Sequence, residues 1–184
     1  MSMIIDGTNG LTFNDATTQT KAGLVVGTAS AITSGTAVAS TSGTSIDFTS
    51  IPSWVKRITV MLNGVSTNGS SNILIQLGSG SIETTSYVSV AGFAGGPNQA
   101  GSTSATTGFI LTTSLSASST LSGIATICNH TSNTWTESFT GAYATVSAFG
   151  GGYKSLSGTI DRIRITTVNG TDTFDAGSIN IMYE

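Results

Sequence analysis

Arg57-Ile58-Thr59-Val60-Met61-Leu62-Asn63 is the stretch from which the fold class can be read. In an extended chain successive side chains point to opposite faces, so Ile58, Val60 and Leu62 share one face, and Arg57, Thr59, Met61 and Asn63 the other. That is a strand with one buried face. Thr159 to Val168 reads the same way: Asp161, Ile163, Ile165 and Thr167 oppose Ile160, Arg162, Arg164, Thr166 and Val168. The two arginines therefore emerge together, on a solvent or subunit-facing surface.

Along the whole chain the alternation predicts nine strands: Ser45 to Thr49, Arg57 to Asn63, Asn72 to Leu77, Thr84 to Val90, Gly108 to Leu115, Gly123 to Asn129, Trp135 to Ser147, Thr159 to Val168 and Ser178 to Tyr183. Asn63-Gly64, Asn68-Gly69 and Asn169-Gly170 are turn signals, because both residue types tolerate positive φ, and Gly95-Gly96-Pro97 breaks any strand it meets. No segment carries apolar residues at helical spacing with caps, so helix is expected to be close to absent. Antiparallel strands with one buried face each close into two sheets over a common core, and the expected fold is all-β, an antiparallel β-sandwich of jelly-roll type. Residues 1 to 44 differ. Short apolar pieces such as Leu24-Val25-Val26 sit among Gly, Ser, Thr and Ala, which predicts an extended N-terminal arm at 1–44, its Thr28 to Thr44 section lying along another surface or serving as a flexible connector, and a sandwich domain at 45–184.

The chain has 184 residues, enough for one domain plus an arm. Only 8% of them are charged, and Ser and Thr together make roughly a third. The Ile, Val, Phe and Thr runs argue for order rather than disorder. With a net charge of -3 and six Lys and Arg scattered along the chain, no dense basic stripe for phosphate neutralisation can form, so nucleic acid is not an expected partner. A surface so poor in charge has little colloidal protection on its own and is easier to understand when copies or a larger particle cover part of it. The single Cys128 provides no disulfide framework and no thiolate cluster. The start, Met1-Ser2-Met3-Ile4-Ile5-Asp6-Gly7, lacks the pattern of a signal peptide, and no run is long enough for a spanning helix. Accumulation of the product in the cytoplasm that made it, without membrane insertion, is the expectation.

Near the start stands Gly10-Leu11-Thr12-Phe13-Asn14-Asp15-Ala16-Thr17-Thr18-Gln19-Thr20. This phrase resembles one that recurs near the N-termini of tail-fibre and other virion-surface proteins of tailed bacteriophages, where a proline-aspartate-glycine turn leads into a threonine-glutamine-threonine strand. Asn14 stands in place of the proline, Ala16 of the glycine and Lys21 of a further threonine. Ile51-Pro52-Ser53-Trp54-Val55-Lys56-Arg57-Ile58-Thr59-Val60 and the ending Ala176 to Glu184 also look like phage structural proteins. The resemblance implies a structural protein at the virion surface; the residues offer no catalytic chemistry, and the chain is too short for an arm, shaft and separate head, so a non-enzymatic, trimeric capsid decoration protein or short head-attached spike is expected. It would be anchored to a major capsid or tail protein through its arm, with Leu11, Phe13, Asp15 and Gln19 in the anchoring segment. The alternative is a tail-fibre subunit or receptor-binding tip that recognises host surface carbohydrate.

His130 shares a face with Cys128 and Thr126 in an extended run, but a thiolate and base would also need an orienter and an oxyanion site, so a buried Cys and a strand-end His are the reading. Gly150-Gly151-Gly152-Tyr153-Lys154-Ser155 fails the spacing of a phosphate-binding loop, since Tyr153 intervenes before the lysine, and reads as a loop between strands. Asn169, Asp172 and Asp175 lack the dense carboxylates of a calcium loop and read as turn caps. Glu83, Glu137 and Asp161 show no pairing suited to glycoside hydrolysis. No catalytic, metal or cofactor residues are therefore expected. Trp135, Tyr143 and Tyr153 lie in a stretch rich in Gly, Asn, Ser and Thr and are the candidate carbohydrate contacts, although core packing by the same aromatics is the favoured reading.

Overall fold

A computed structural model describes residues 32–184 together with three short strands near the N-terminus. The chain forms two compact units, Met1–Ala31 and Ile32–Glu184. In the first, β1 (Ile4–Asp6) pairs with β2 (Gly10–Thr12) and β2 with β3 (Thr18–Gln19), both antiparallel. Leu11 is the register partner of both Ile5 and Gln19.

The second unit is all-β, with two antiparallel sheets packed over a common core, and among the described residues there is no helix. Its strands are β4 (Thr33–Ser34), β5 (Val38–Ala39), β6 (Ser45–Thr49), β7 (Arg57–Thr67), β8 (Ile73–Ser79), β9 (Ser81–Ile82), β10 (Val88–Ala94), β11 (Ala100–Ala105), β12 (Phe109–Ile110), β13 (Leu121–Thr131), β14 (Thr134–Tyr143), β15 (Val146–Ser155), β16 (Arg162–Thr167) and β17 (Phe174–Tyr183). The larger sheet runs β11-β10-β15-β14-β13-β7-β17-β4, with β5 also on β17. The smaller runs β12-β8-β16-β6, with β9 on β8.

The alternation in Arg57 to Asn63 does what its pattern requires. Ile58, Val60 and Leu62 are buried and meet Ile163, Ile165, Ile75 and Leu77 of the smaller sheet in one core. The strand continues past the expected turn at Asn63-Gly64. Gly64 (φ +63°) faces Gly177 (φ +91°) across a register shift between β7 and β17, and a Cβ on Gly177 would lie 2.5 Å from the Gly64 backbone. Two glycines thus let a bulge pass through the sheet without breaking it.

Other elements depart from the sequence reading. Trp135 to Ser147 is not one strand but the end-to-end run of β14 and β15, reversed at Ala144-Thr145 with Ala144 at φ +50°. The glycine-rich segment at 150–152 lies inside β15 instead of forming a loop. Thr84 to Val90 becomes strand only from Val88, and Gly108 to Leu115 only at Phe109–Ile110. Residues 33–39, placed with the arm by composition, pair with β17: Ser34 opposite Met182 and Val38 opposite Ile179. The second unit therefore begins at Ile32 and not near residue 44. Small side chains that cannot build a core can still complete a sheet through their main chain.

One buried polar cluster locks the sheets. The Lys154 ammonium lies 2.6 Å from a Glu83 oxygen and 5.5 Å from the Tyr87 ring centroid. Burial works against the charge on Glu83, yet Lys154 and Ser157 together hold its carboxyl below the usual range. The Tyr87 ring meets Phe109 edge-on at 5.1 Å, and its oxygen accepts the Leu77 N–H at 2.7 Å. That phenol takes over the β8 ladder beyond the point where β12 stops. Tyr87→Phe is expected to strand the Leu77 N–H and destabilise the domain by about 1–3 kcal/mol. Urea unfolding measures this; an unchanged midpoint would mean that the phenol is dispensable.

Candidate interaction face

In most half-buried strands the large apolar side chains turn inward and the small or polar ones outward. Along their middle stretches β10 and β15 reverse this, while Phe93, Val146 and Lys154 toward their ends still turn inward. In β10, Ser89 and Ala91 are buried while Val88 and Val90 stand 51% and 49% exposed. In β15, Ala148, Gly150 and Gly152 face inward, whereas Phe149 and Tyr153 are 51% and 49% exposed. The interior requires small residues here. The Ser89 hydroxyl accepts the Ile110 N–H at 2.9 Å, and a Cβ on Gly150 would lie 3.0 Å from the Val90 carbonyl. Nothing in that constraint requires the outward residues to be large.

Register places the outward side chains in rows across the larger sheet. Val88, Tyr153, Thr136, Cys128 and Arg57 form one row; Ser104, Val90, Gly151, Ser138, Thr126 and Thr59 form the next; Ser102, Gly92, Phe149, Thr140, Ile124 and Met61 form a third. Ile124 is 51% exposed. The outward residues of β11, β10, β15, β14 and β13 include no Asp, Glu, Lys or Arg; Arg57 lies at the border. Phe149 lies across Gly92, where a Cβ would come 2.7 Å from the ring. Beside it Val90, Ser102, Ser138, Thr140 and the bare Gly151 surround a shallow concavity of about 400 Å³.

The opposite sheet has a different character. A groove of about 300 Å³ there is lined by Gln76, Arg164, Thr166 and neighbouring residues. Its polar groups largely serve one another. Arg164 donates two hydrogen bonds of 2.7 Å to Asp47, Gln76 donates to the Thr107 carbonyl at 2.9 Å, and Thr166 donates to the Thr44 carbonyl at 2.8 Å.

The structure separates the residues singled out from sequence. Trp135 and Tyr143, candidate carbohydrate contacts for which core packing is the favoured reading, are 3% and 5% exposed and do belong to the core, where the Tyr143 hydroxyl donates to the Thr113 carbonyl. Strand parity turns both inward, alongside Phe139. Tyr153 alone of the three is at the surface. Leu11 and Gln19 lie in β2 and β3, while Phe13 and Asp15 fall outside the described residues. Cys128 is half-buried on the outward side of β13 instead of buried, and His130 is exposed. Asn169 accepts from the N–H groups of Thr171 and Asp172 at 3.0 and 3.2 Å, and Asp172 accepts from the Ser71 N–H at 2.9 Å. Among the described residues no three His, Cys, Asp or Glu side chains converge as a metal site. Comparison of the chain with protein-family models, curated proteins and solved structures found no match.

Val88, Val90, Ile124 and Phe149 are functional candidates that the local sequence pattern does not mark. Their signal was the order of sizes in Val88-Ser89-Val90-Ala91 and Phe149-Gly150-Gly151-Gly152, which becomes informative only once the inward side is known.

Proposed function

We propose that this chain is a non-enzymatic structural protein of a tailed-phage virion, a homotrimeric capsid decoration protein or short head-attached spike carried on the particle surface. The observation that carries this reading is the broad, charge-free outward face with its large apolar residues, a surface suited to adhesion and ill suited to a free monomer. The phage assignment itself rests on the resemblance of Gly10 to Thr20.

Attachment would be geometric. Residues 33–39 already illustrate the principle, adding short strands to β17 through main-chain bonds such as Gly35 N–H to the Ile181 carbonyl at 2.8 Å. Residues 1–31 would engage a capsid or tail protein in the same manner, by strand addition that needs no charge. Deleting residues 1–31 is expected to abolish incorporation into particles and leave a folded sandwich. Counting copies per purified particle tests this, and full incorporation of the shortened chain would reject the anchoring role.

A further inference from the structure

We propose that the outward face of β11, β10, β15, β14 and β13 is the surface through which this chain binds a second copy of itself. The inference deepens the assembling role proposed above by naming both the surface and the partner. Four properties of the face point to an identical copy.

Its apolar groups lack burial. Val88, Val90, Ile124, Phe149 and Tyr153 are each about half exposed (49–51%) on one side of one sheet, while Ser89, Ala91, Ala148, Gly150 and Gly152 on the inward side of β10 and β15 are small. A strand that places its large residues on the solvent side gives up the hydrophobic gain of folding and recovers it only when something covers that side. A polar groove with internally paired groups, like that on the smaller sheet, carries no such deficit.

Its electrostatics suit a homotypic contact. Copies related by symmetry bring the same surface or its near neighbourhood together, so a fixed charge within it readily meets its own kind, and like charges across a contact cost several kcal/mol. Across β11 to β13 there is none to meet. A basic, acidic or nucleic-acid partner would find no complementary charge here.

Its size is sufficient. Five strands about 4.8 Å apart and roughly 28 Å long present on the order of 650 Å², against about 600–1,000 Å² per partner in stable interfaces of standard size.

Its relief is self-complementary. Phe149 projects beside the concavity of about 400 Å³ that Gly151 leaves open, so each copy offers both an aromatic knob and a place to seat one. Thr136, Ser138, Thr140, Ser102 and Ser104 surround these groups with hydroxyls that can bond across a contact without the desolvation cost of a charge.

The test is sedimentation equilibrium of the full-length chain at concentrations up to about 100 µM, where contacts of this size are expected to be populated. The wild type is expected to associate. Val90→Lys places a charge at the centre of the contact on every copy and is expected to weaken association at least 100-fold. Ile124→Lys, on a strand whose inward side is conventionally packed, provides a second probe should the first variant misfold. Thr49→Lys, on the smaller sheet, is expected to leave association unchanged. A wild type that is monomeric throughout, as it would be if its own N-terminal residues or an unrelated partner covered the face, overturns the proposal. So does an oligomer indifferent to both lysines. A dimer would support the face and count against threefold assembly, and an oligomer that never enters particles would leave the face intact while defeating the virion reading.

Discussion

Replacing Glu137 with glutamine is expected to stabilise the domain by about 3–5 kcal/mol at pH 8 and to remove most of its loss of stability with rising pH. Glu137 points inward from β14, is 5% exposed, and neither carboxyl oxygen has a hydrogen-bond partner. Its strand neighbours are Ile127 and Gly152. Lys154, on the inward side of β15, is engaged by Glu83. Burial raises the Glu137 pKa from 4.5 to about 8. Below about pH 4.5 the acid is protonated in both folded and unfolded chains and stability does not change with pH on its account. Between there and about 8 the unfolded chain ionises while the folded chain keeps its proton, so each unit of rising pH costs about 1.4 kcal/mol. Above that range both are ionised and the deficit stays at its full value. Glutamine has the same shape and no proton to lose. Urea midpoints of both proteins from pH 4 to pH 9 provide the measurement; parallel curves would show that water or a rearrangement satisfies the carboxylate.

Phe139→Ala is expected to cost about 3–5 kcal/mol, enough to lower the melting temperature by about 10 °C. The ring is 1% exposed and lies over two glycines. A Cβ at Gly123 would come 2.9 Å from it and one at Gly141 2.6 Å. The sheet therefore has no side chains of its own at those two positions, and removing the ring empties all three. Phe139→Leu refills part of that volume and should recover a substantial share of the loss. Calorimetry decides the matter: equal melting temperatures for wild type and Phe139→Ala would mean the neighbouring residues collapse into the space.

The all-β class and the inward residues of β7 and β16 were legible because Ile58, Val60 and Leu62, and Ile163 and Ile165, alternate with polar or longer flexible side chains. The hairpin between β14 and β15 was hidden because Ala144-Thr145 lacks the Asn and Gly that usually mark positive φ. β11, Ala100–Ala105, was hidden because its six residues contain nothing larger than threonine. Three consecutive glycines disguised the middle of β15, which tolerates them because β10 approaches closely, with the Val88 carbonyl 2.2 Å from where a Cβ of Gly152 would stand. For Trp135 and Tyr143, the composition of the stretch allows an exposed platform, but parity with Phe139 puts them in the core, the reading the sequence favours. The adhesive face could not be read locally. Its residues come from separate segments, and which side of β10 is outward depends on the Ile110 main chain claiming Ser89.

The position of β17 has a consequence for synthesis. It lies between β7 and β4, and Tyr183 opposite Ile58 joins residues separated by most of the domain. The β13-β14-β15 meander can form from neighbours in the chain, but the seam along β7 must wait for a distant segment to be translated. Until then a nascent molecule presents β7 as an open edge, the kind of template on which incomplete polypeptides aggregate.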